Sequence, residues 1–177
     1  TLVRDHLGSI RVHGTGEIQY VVQAAASQVE AYAARAARGE MPMAEARARA
    51  LDAVRSLRYG TDGYVFVVDT AARIVMHPVK PALDETDGSA IRDVDGVAHF
   101  AEMARAGRRP GGGVVAYRWP RPGSTVPERK LSYARGVPAW GWVLASGMYL
   151  DKVEGAARAA AVRAALVAGG LLLAVAG

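Results

Sequence analysis

The sequence predicts an α+β protein in which long N-terminal helices pack on an antiparallel β-sheet. Apolar residues recur every three or four positions through the first third of the chain, which is typical of amphipathic helices. Beyond residue 60 the apolar residues form short β-branched and aromatic runs, and turn-forming residues separate these runs. Because the runs do not alternate regularly with helices, we expect their strands to be antiparallel.

Two helices are expected before the sheet. The first covers residues 17–38, and a weaker helical pattern extends upstream over residues 4–12. The second begins at Pro42, a residue suited to a first helical turn, and continues to Arg58. The apolar stripe of this second helix is expected to contain Ala50, Leu51, Val54 and Leu57.

Five strands are expected after these helices. They cover residues 64–68, 74–77, 114–119, 130–135 and 142–149. A polar loop over residues 84–96 and a short helix over residues 97–106, with Phe100 and Met103 inward, are expected between the second and third strands. The period-two alternation of a strand places Val115, Tyr117 and Trp119 on one face of the third strand.

The C-terminal segment is predicted to begin a membrane span. Asp151 and Glu154 form an acidic variant of the capping box and open a helix. Residues 164–177 carry no charge, and since a span needs about 20 apolar residues, we expect a transmembrane helix that the chain end cuts short. The alternative is an apolar helix packed in a soluble core. The expected domains are a helical region over 1–58, a sheet domain over 59–150, and over 151–177 a helix that leads into the truncated transmembrane helix.

Composition and motifs exclude several classes of function. The chain has no cysteine, which rules out disulfide scaffolds, thiolate zinc sites and cysteine nucleophiles. Its net charge of +5 is spread thinly, whereas nucleic-acid binding needs a concentrated basic face, so no nucleic-acid partner is expected. No catalytic triad order, phosphate loop or metal-ligand spacing is visible, and we expect no catalytic residue, no metal and no cofactor.

Binding of a ligand on one face of the sheet is the alternative to catalysis. The polar and aromatic candidates near the strands are Tyr64, His77, Tyr117, Trp119, Lys130 and Tyr133. Lys130 is the most informative, because the chain has only 3 lysines among 22 basic residues, and a retained lysine suits a compact ammonium for a single carboxylate. Other interpretations remain open: Lys130 as a chance surface residue, His77 as a strand-end histidine, and Tyr64, Trp119 and Tyr133 as ordinary core residues.

Several short segments stand in a fixed order between about Glu17 and Val153. They are Leu57–Gly60, Asp62–Phe66, Met76–Pro78, Gly111–Pro120, Lys130–Tyr133, Trp140–Val143 and Ser146–Asp151. In this order they resemble the single Cache domain, a PAS-like extracytoplasmic sensor of bacterial chemoreceptors and sensor kinases. Two turns depart from that family, because Ala72-Arg73 and Glu85-Thr86-Asp87 stand where it commonly has a glycine.

The resemblance implies a ligand-sensing periplasmic domain of an inner-membrane receptor, most simply a methyl-accepting chemotaxis protein, and not an enzyme. We also expect a homodimer in which the N-terminal helix packs along the partner subunit, with packing of its apolar stripe on its own sheet as the alternative. The C-terminal helix is expected to carry the signal across the bilayer. The alternatives are the sensor region of a histidine kinase or cyclase, a small membrane-tethered periplasmic enzyme, and a purely structural anchored module.

The resemblance further implies a short organic acid as ligand, of the acetate, propionate, pyruvate or lactate class. By similarity, His77, Tyr117 and Lys130 would hold the carboxylate. Tyr64, Met76 and Trp119 would limit the length of the alkyl tail.

Overall fold

The computed structural model describes residues 2–150 together with residues 160, 162 and 163. The helices in this range are α1 (Leu2–Ala37), α2 (Met43–Ser56) and α3 (His99–Gly107). The strands are β1 (Arg58–Tyr59), β2 (Gly63–Asp69), β3 (Arg73–Met76), β4 (Thr86–Asp87), β5 (Gly113–Pro120), β6 (Pro127–Val137) and β7 (Trp142–Tyr149). Two short 3₁₀ helices cover Pro81–Leu83 and Pro138–Trp140. This succession confirms the predicted α+β class.

The strands form one antiparallel sheet in the order β4-β3-β2-β7-β6-β5, and β1 pairs with β2. Strand β2 lies in the middle of the sheet, and its residues 63–68 are all buried. It is buried on both sides because α1 and α2 cover one face of the sheet while α3 covers the other. The sheet is therefore the middle layer of three, which explains the continuous apolar run of β2.

The helix α1 lies on the first face of the sheet. Over residues 15–37 its buried residues recur mostly at three- and four-residue steps and are Ile18, Val22, Ala25, Ala26, Val29 and Ala33. They pack against α2 and against the β2 and β7 residues that point to this side, such as Val65, Val67 and Leu144. We call the face of the sheet that α1 and α2 cover the helix face.

The helix α3 covers the opposite face, which we call the ligand face. Phe100 and Met103 of α3 are buried there, as predicted. Its last residue is a glycine because the helix approaches β7 so closely that a Cβ atom on Gly107 would overlap the Val143 side chain.

The helix boundaries differ from the prediction in two places. The helix α1 begins at Leu2, so the weak upstream pattern belongs to the same helix. The helix α2 begins at Met43, with Pro42 as its N-cap, and ends at Ser56. Leu57 is 37% exposed and does not belong to the apolar stripe, because the backbone becomes extended at this residue.

The predicted signalling and transmembrane helix over residues 151–177 lies outside the described residues, except for residues 160, 162 and 163. Within the residues that the structure describes, no helix is long and apolar enough to cross a membrane. The strands β1 and β4 were missing from the prediction because two residues are too few to show an alternation.

The two turns without the family's glycine both adopt a left-handed backbone. Ala72 has a φ of 66° and Glu85 a φ of 63°. The first turn is held by the Asp69 carboxylate, which accepts hydrogen bonds from the backbone N–H groups of Ala71 and Arg73 at 2.8 and 2.9 Å. A left-handed conformation costs an L-residue about 1–2 kcal/mol, so these turns keep a geometry that glycine would adopt more easily.

Candidate functional site

Lys130 lies at the centre of the ligand face and is only 1% exposed. Its position in β6 places it opposite Tyr117 of β5 and opposite Tyr149 of β7. The Nζ atom donates a hydrogen bond of 2.9 Å to the Tyr64 hydroxyl, and it lies 4.1 Å from the centre of the Tyr64 ring and 5.0 Å from that of Tyr149. The lysine is therefore buried among aromatic rings, which excludes the interpretation of Lys130 as a chance surface residue.

The Lys130 ammonium has no carboxylate partner among the described residues, where its one side-chain hydrogen bond goes to Tyr64. Asp62, the carboxylate whose charge acts on Lys130, forms an ion pair with Arg121, as does Glu128. Burial lowers the pKa of Lys130 to about 7, while Asp62 opposes the shift and Arg121 adds to it. The site therefore holds a cation whose charged form lacks a paired anion in the surrounding fold.

His77 follows β3 and is 1% exposed. Its ring stacks on Phe66 with centroids 5.3 Å apart, and the Tyr64 ring lies at the same distance. The Nδ1 atom accepts a hydrogen bond of 3.1 Å from the Lys80 backbone N–H, so the proton of the neutral ring is on Nε2. Burial, together with the charges of Lys130 and Lys80, lowers the pKa of His77 to about 3. The imidazole is therefore neutral and offers one N–H donor.

Tyr117 and Tyr64 supply the hydroxyl groups of the ligand face. The Tyr117 hydroxyl lies 3.0 Å from the Ser132 hydroxyl, and burial raises the pKa of Tyr117 well above its usual range. Burial also raises the pKa of Tyr64, and the neighbouring Tyr117 adds to the shift. Both tyrosines are therefore protonated donors at neutral pH.

Two buried polar side-chain atoms have no hydrogen-bond partner in the part of the chain that the structure describes, and both belong to this cluster. They are Nε1 of Trp119 and Nε2 of His99. The His99 ring is fully buried and stacks on Tyr117 with centroids 4.8 Å apart and 5° between planes, and the Trp119 ring lies 4.9 Å away. Buried polar atoms without partners are rare in folded proteins, and here they mark a place for polar ligand atoms.

His99 was not among the predicted site residues. No partner at helical spacing pointed to it in the sequence, and it reaches the cluster because the polar segment before α3 folds back against β5. The link is the Asp93 carboxylate, which accepts a hydrogen bond of 2.7 Å from the Arg118 backbone N–H in β5. Only the tertiary structure brings this histidine beside Tyr117 and Trp119.

The structure brings five of the seven predicted site residues together on the ligand face: Tyr64, His77, Tyr117, Trp119 and Lys130. Met76 and Tyr133 belong instead to the core on the helix face, so the structure does not bring them into this cluster.

Each of the two exceptions has a local cause. The pairing of β2 with β3 shifts register between Val67 and Val68, so Met76 is opposite Val67 and shares its helix-face orientation. Tyr133 stands three residues after Lys130 in the continuous strand β6, so the two side chains point to opposite faces. The Tyr133 hydroxyl donates to the Gly111 carbonyl at 2.7 Å.

A cavity of about 460 Å³ lies along the edge strand β5 and touches Lys130 and Tyr117. Its other lining residues include Val114, Ala116 and Leu131, which alternate with the ligand-face residues of these strands. Tyr64, His77 and Trp119 do not line it. We therefore assign the candidate site to the aromatic cluster around Lys130 and not to this groove.

No group of three or more histidine, aspartate or glutamate side chains within the described part of the chain could hold a metal ion. The donors of the site are one ammonium, neutral N–H groups and hydroxyl groups. Such a set suits a small anion in an apolar wall.

The chain belongs to the single Cache family, since the family model described as Single Cache domain 2 matches residues 11–162. Its similarity to known members is substantial. It is 43% identical over 136 residues to the methyl-accepting chemotaxis protein McpP of Pseudomonas putida, which covers 77% of this chain and 25% of McpP. It is 36% identical over 111 residues to the sensor histidine kinase MctS of Rhizobium johnstonii, which covers 62% of this chain and 24% of MctS. The chain thus spans about a quarter of the length of these curated relatives.

Two solved structures are similar over most of their length. One, described as the periplasmic sensor domain of a chemotaxis protein, is 47% identical with a TM-score of 0.74 and covers 76% of this chain and 94% of that chain. The other is described by the words "structural basis for carboxylic acid recognition by a Cache chemosensory domain". It is 36% identical with a TM-score of 0.77, and the match covers 81% of this chain and 97% of that chain. The chain is therefore a Cache sensor domain of the kind found in chemotaxis receptors, with the PAS-like fold of that family.

Proposed function

We propose that the chain senses a small carboxylate on the extracytoplasmic side of an inner-membrane chemoreceptor. The acid of the acetate, propionate, pyruvate or lactate class binds on the ligand face, with its carboxylate at Lys130. The neighbouring N–H and hydroxyl donors of Tyr64, His77, Tyr117 and Trp119 complete its hydrogen bonds. The role is sensory, and the ligand leaves the site unchanged.

The observation that carries this proposal is the burial of the Lys130 ammonium without a carboxylate partner in the described fold. Transfer of an ammonium out of water costs several kcal/mol unless an opposite charge is close. A ligand carboxylate supplies that charge, and the surrounding donors match its two oxygens. The similarity to a structure described for carboxylic acid recognition supports the same ligand class.

The signal is proposed to pass through β7. Its last residue, Tyr149, faces Lys130 across the β6–β7 pairing and bonds through its hydroxyl to the Pro120 carbonyl at 2.8 Å. An anion at Lys130 changes the charge beside the Tyr149 ring. Tyr149 stands directly before the predicted signalling helix over residues 151–177. We further propose that the chain forms a homodimer through the outer face of α1, where Tyr20 is 73% exposed. We also propose that the helical region ends at residue 58 and that the sheet domain ends at residue 150.

Thermal unfolding of the full 177-residue chain tests the proposal. At one hundred times its dissociation constant a ligand stabilises by about 2.7 kcal/mol, which raises the melting temperature of a chain of this size by roughly 5–10 °C. Acetate, propionate, pyruvate and lactate are compared with an uncharged amide and an amine of the same length. We expect the melting temperature to rise with the acids and to stay unchanged with the amide and the amine.

Two variants make the test specific. Lys130→Met keeps the side-chain length and removes the cation, and we expect it to fold and to lose the response to acids. Arg49→Met also removes one positive charge, but from the exposed ion pair with Glu45 on α2, and we expect its response to equal that of the wild type. A full response in Lys130→Met would contradict the proposed anchor.

A sensor histidine kinase is the second candidate for the whole protein, because MctS carries that name and matches the same region. A chemoreceptor and a histidine kinase differ in their output domains, which are not part of this sensor domain. A periplasmic enzyme is tested by incubating the acid with the chain and recording its NMR spectrum. Consumption of the acid would contradict a purely sensory role.

A further inference from the structure

His99 has one ring nitrogen that is satisfied and one that is not. Its Nδ1 atom lies 3.4 Å from the Val97 carbonyl oxygen, and a carbonyl only accepts hydrogen bonds. The proton of the neutral ring therefore lies on Nδ1. The lone pair of Nε2 is then an acceptor, and this atom is buried with no partner in the described part of the chain.

The loop before α3 fixes this arrangement. One oxygen of the Asp93 carboxylate accepts hydrogen bonds from the backbone N–H groups of Asp95 and Val97 at 2.9 and 2.8 Å. The other oxygen accepts from the Arg118 backbone N–H of β5. The carboxylate thus ties the loop to the sheet and holds the Val97 carbonyl at the His99 ring. A fixed carbonyl keeps the His99 tautomer fixed as well.

The ring is also kept neutral. Burial lowers the pKa of His99 to about 4, and Asp93 opposes the shift while the charge of Lys130 adds to it. Its stacking on Tyr117 and its place beside Trp119 leave the Nε2 acceptor among rings of the ligand face. A ligand that reaches this atom must therefore donate a hydrogen bond to it.

Among small acids only some groups beside the carboxylate can do so. An alkyl group has no donor, and a 2-oxo group presents only acceptor lone pairs to an acceptor nitrogen. A 2-ammonium group is a donor, but it brings a second positive charge next to the buried Lys130. A hydroxyl group donates without a charge, and its oxygen also accepts from a donor such as Trp119 Nε1.

We propose that His99 Nε2 accepts a hydrogen bond from a hydroxyl group next to the ligand carboxylate, so that the site prefers 2-hydroxycarboxylates to alkanoates and 2-oxocarboxylates of the same length. This inference rests on the proposed carboxylate-binding function. A site built to bond a ligand hydroxyl discriminates against analogues without it, because its polar atom is otherwise left unpaired.

Isothermal titration of the full chain with lactate, pyruvate and propionate tests the inference, since all three acids have three carbons. We expect lactate to bind at least about tenfold more tightly than the other two. In His99→Phe, which keeps an aromatic ring on Tyr117 but lacks the acceptor, the affinity for lactate falls to that for propionate. His99→Gln keeps an acceptor oxygen and restores part of the preference.

The ratio of affinities separates this role from a merely structural one, because a distorted site loses all three acids together. Equal binding of lactate and propionate by the wild type, or an unchanged ratio in His99→Phe, would overturn the inference and leave the carboxylate proposal standing. Absence of binding by every acid would overturn both.

Discussion

Raising the pH from 7 to 9 is expected to weaken the binding of small acids, because the Lys130 ammonium loses its proton in this range. Burial lowers the pKa of this group to about 7 from its ordinary value of 10.5. A carboxylate bound at the Nζ atom favours the charged form and raises the pKa again. The acid therefore binds together with a proton whenever Lys130 is neutral in the free protein.

The size of the effect follows from these two values. If the bound carboxylate returns the pKa of Lys130 to its ordinary value, the dissociation constant rises about 50-fold between pH 7 and pH 9, which is about 2.3 kcal/mol. The other groups around the ammonium keep their protonation in this range. Burial holds the pKa of Tyr64 and Tyr149 high, that of Tyr149 at about 12, and the pKa values of His77 and His99 lie at about 3 and about 4.

The free protein should respond to pH in the opposite direction. The pKa of Lys130 is lower in the folded than in the unfolded chain, so the unfolded chain binds more protons between about pH 7 and pH 10.5. The contribution of Lys130 to the free energy of unfolding therefore rises with pH in this interval. A general alkaline loss of structure would instead lower the stability and the affinity together.

Isothermal titration at pH 7, 8 and 9 in two buffers with different ionisation heats measures both the affinity and the protons taken up. At pH 8 we expect an uptake of about 0.9 proton per bound acid, since only about a tenth of Lys130 is charged in the free protein at one unit above its pKa. Lys130→Met should show no uptake. A wild-type affinity that is constant over this range, with no proton uptake, would refute the reasoning.

Three further predictions concern stability. The free energy of unfolding should fall as the pH drops from 6.5 towards 4, because the buried neutral rings of His77 and His99 take up protons only on unfolding; an unchanged melting temperature would contradict this. Tyr133→Phe should cost about 1 kcal/mol in denaturant unfolding and leave acid affinity unchanged, whereas a loss of affinity would return this residue to the site. Ala72→Gly should change the free energy of unfolding by less than about 0.5 kcal/mol, because relief of the left-handed penalty offsets the entropic cost of glycine and the loss of the buried Cβ atom, and a loss of more than about 1.5 kcal/mol would exclude strain at this turn.

The fold was largely predictable because its elements carry strong local patterns. The β-branched run of β2 and the inward pair Phe100 and Met103 of α3 lie where the sequence predicts them. The exit of Leu57 from α2 was not predictable from periodicity, because the change to an extended backbone breaks the pattern at its last member. The strands β1 and β4 are set by pairing with neighbours and have no pattern of their own.

Site residues were predictable where the alternation within one strand, or the chemistry of one residue type, was enough to identify them. Lys130 could be found from its rarity among arginines, and Tyr117 and Trp119 from their common face on β5. The odd spacing from Lys130 to Tyr133 already indicates that the two side chains point to opposite faces of β6. Met76 required knowledge of the register shift, and the place of His99 required the Asp93 contacts that close the loop onto β5.

A crystal structure of the chain with lactate bound tests the central claim most directly. The account predicts a carboxylate oxygen within hydrogen-bond distance of Lys130 Nζ, enclosed by the aromatic rings of the ligand face. An acid seated elsewhere, for example in the groove beside Val114 and Ala116, with the Lys130 ammonium still bonded to Tyr64 alone, would contradict it.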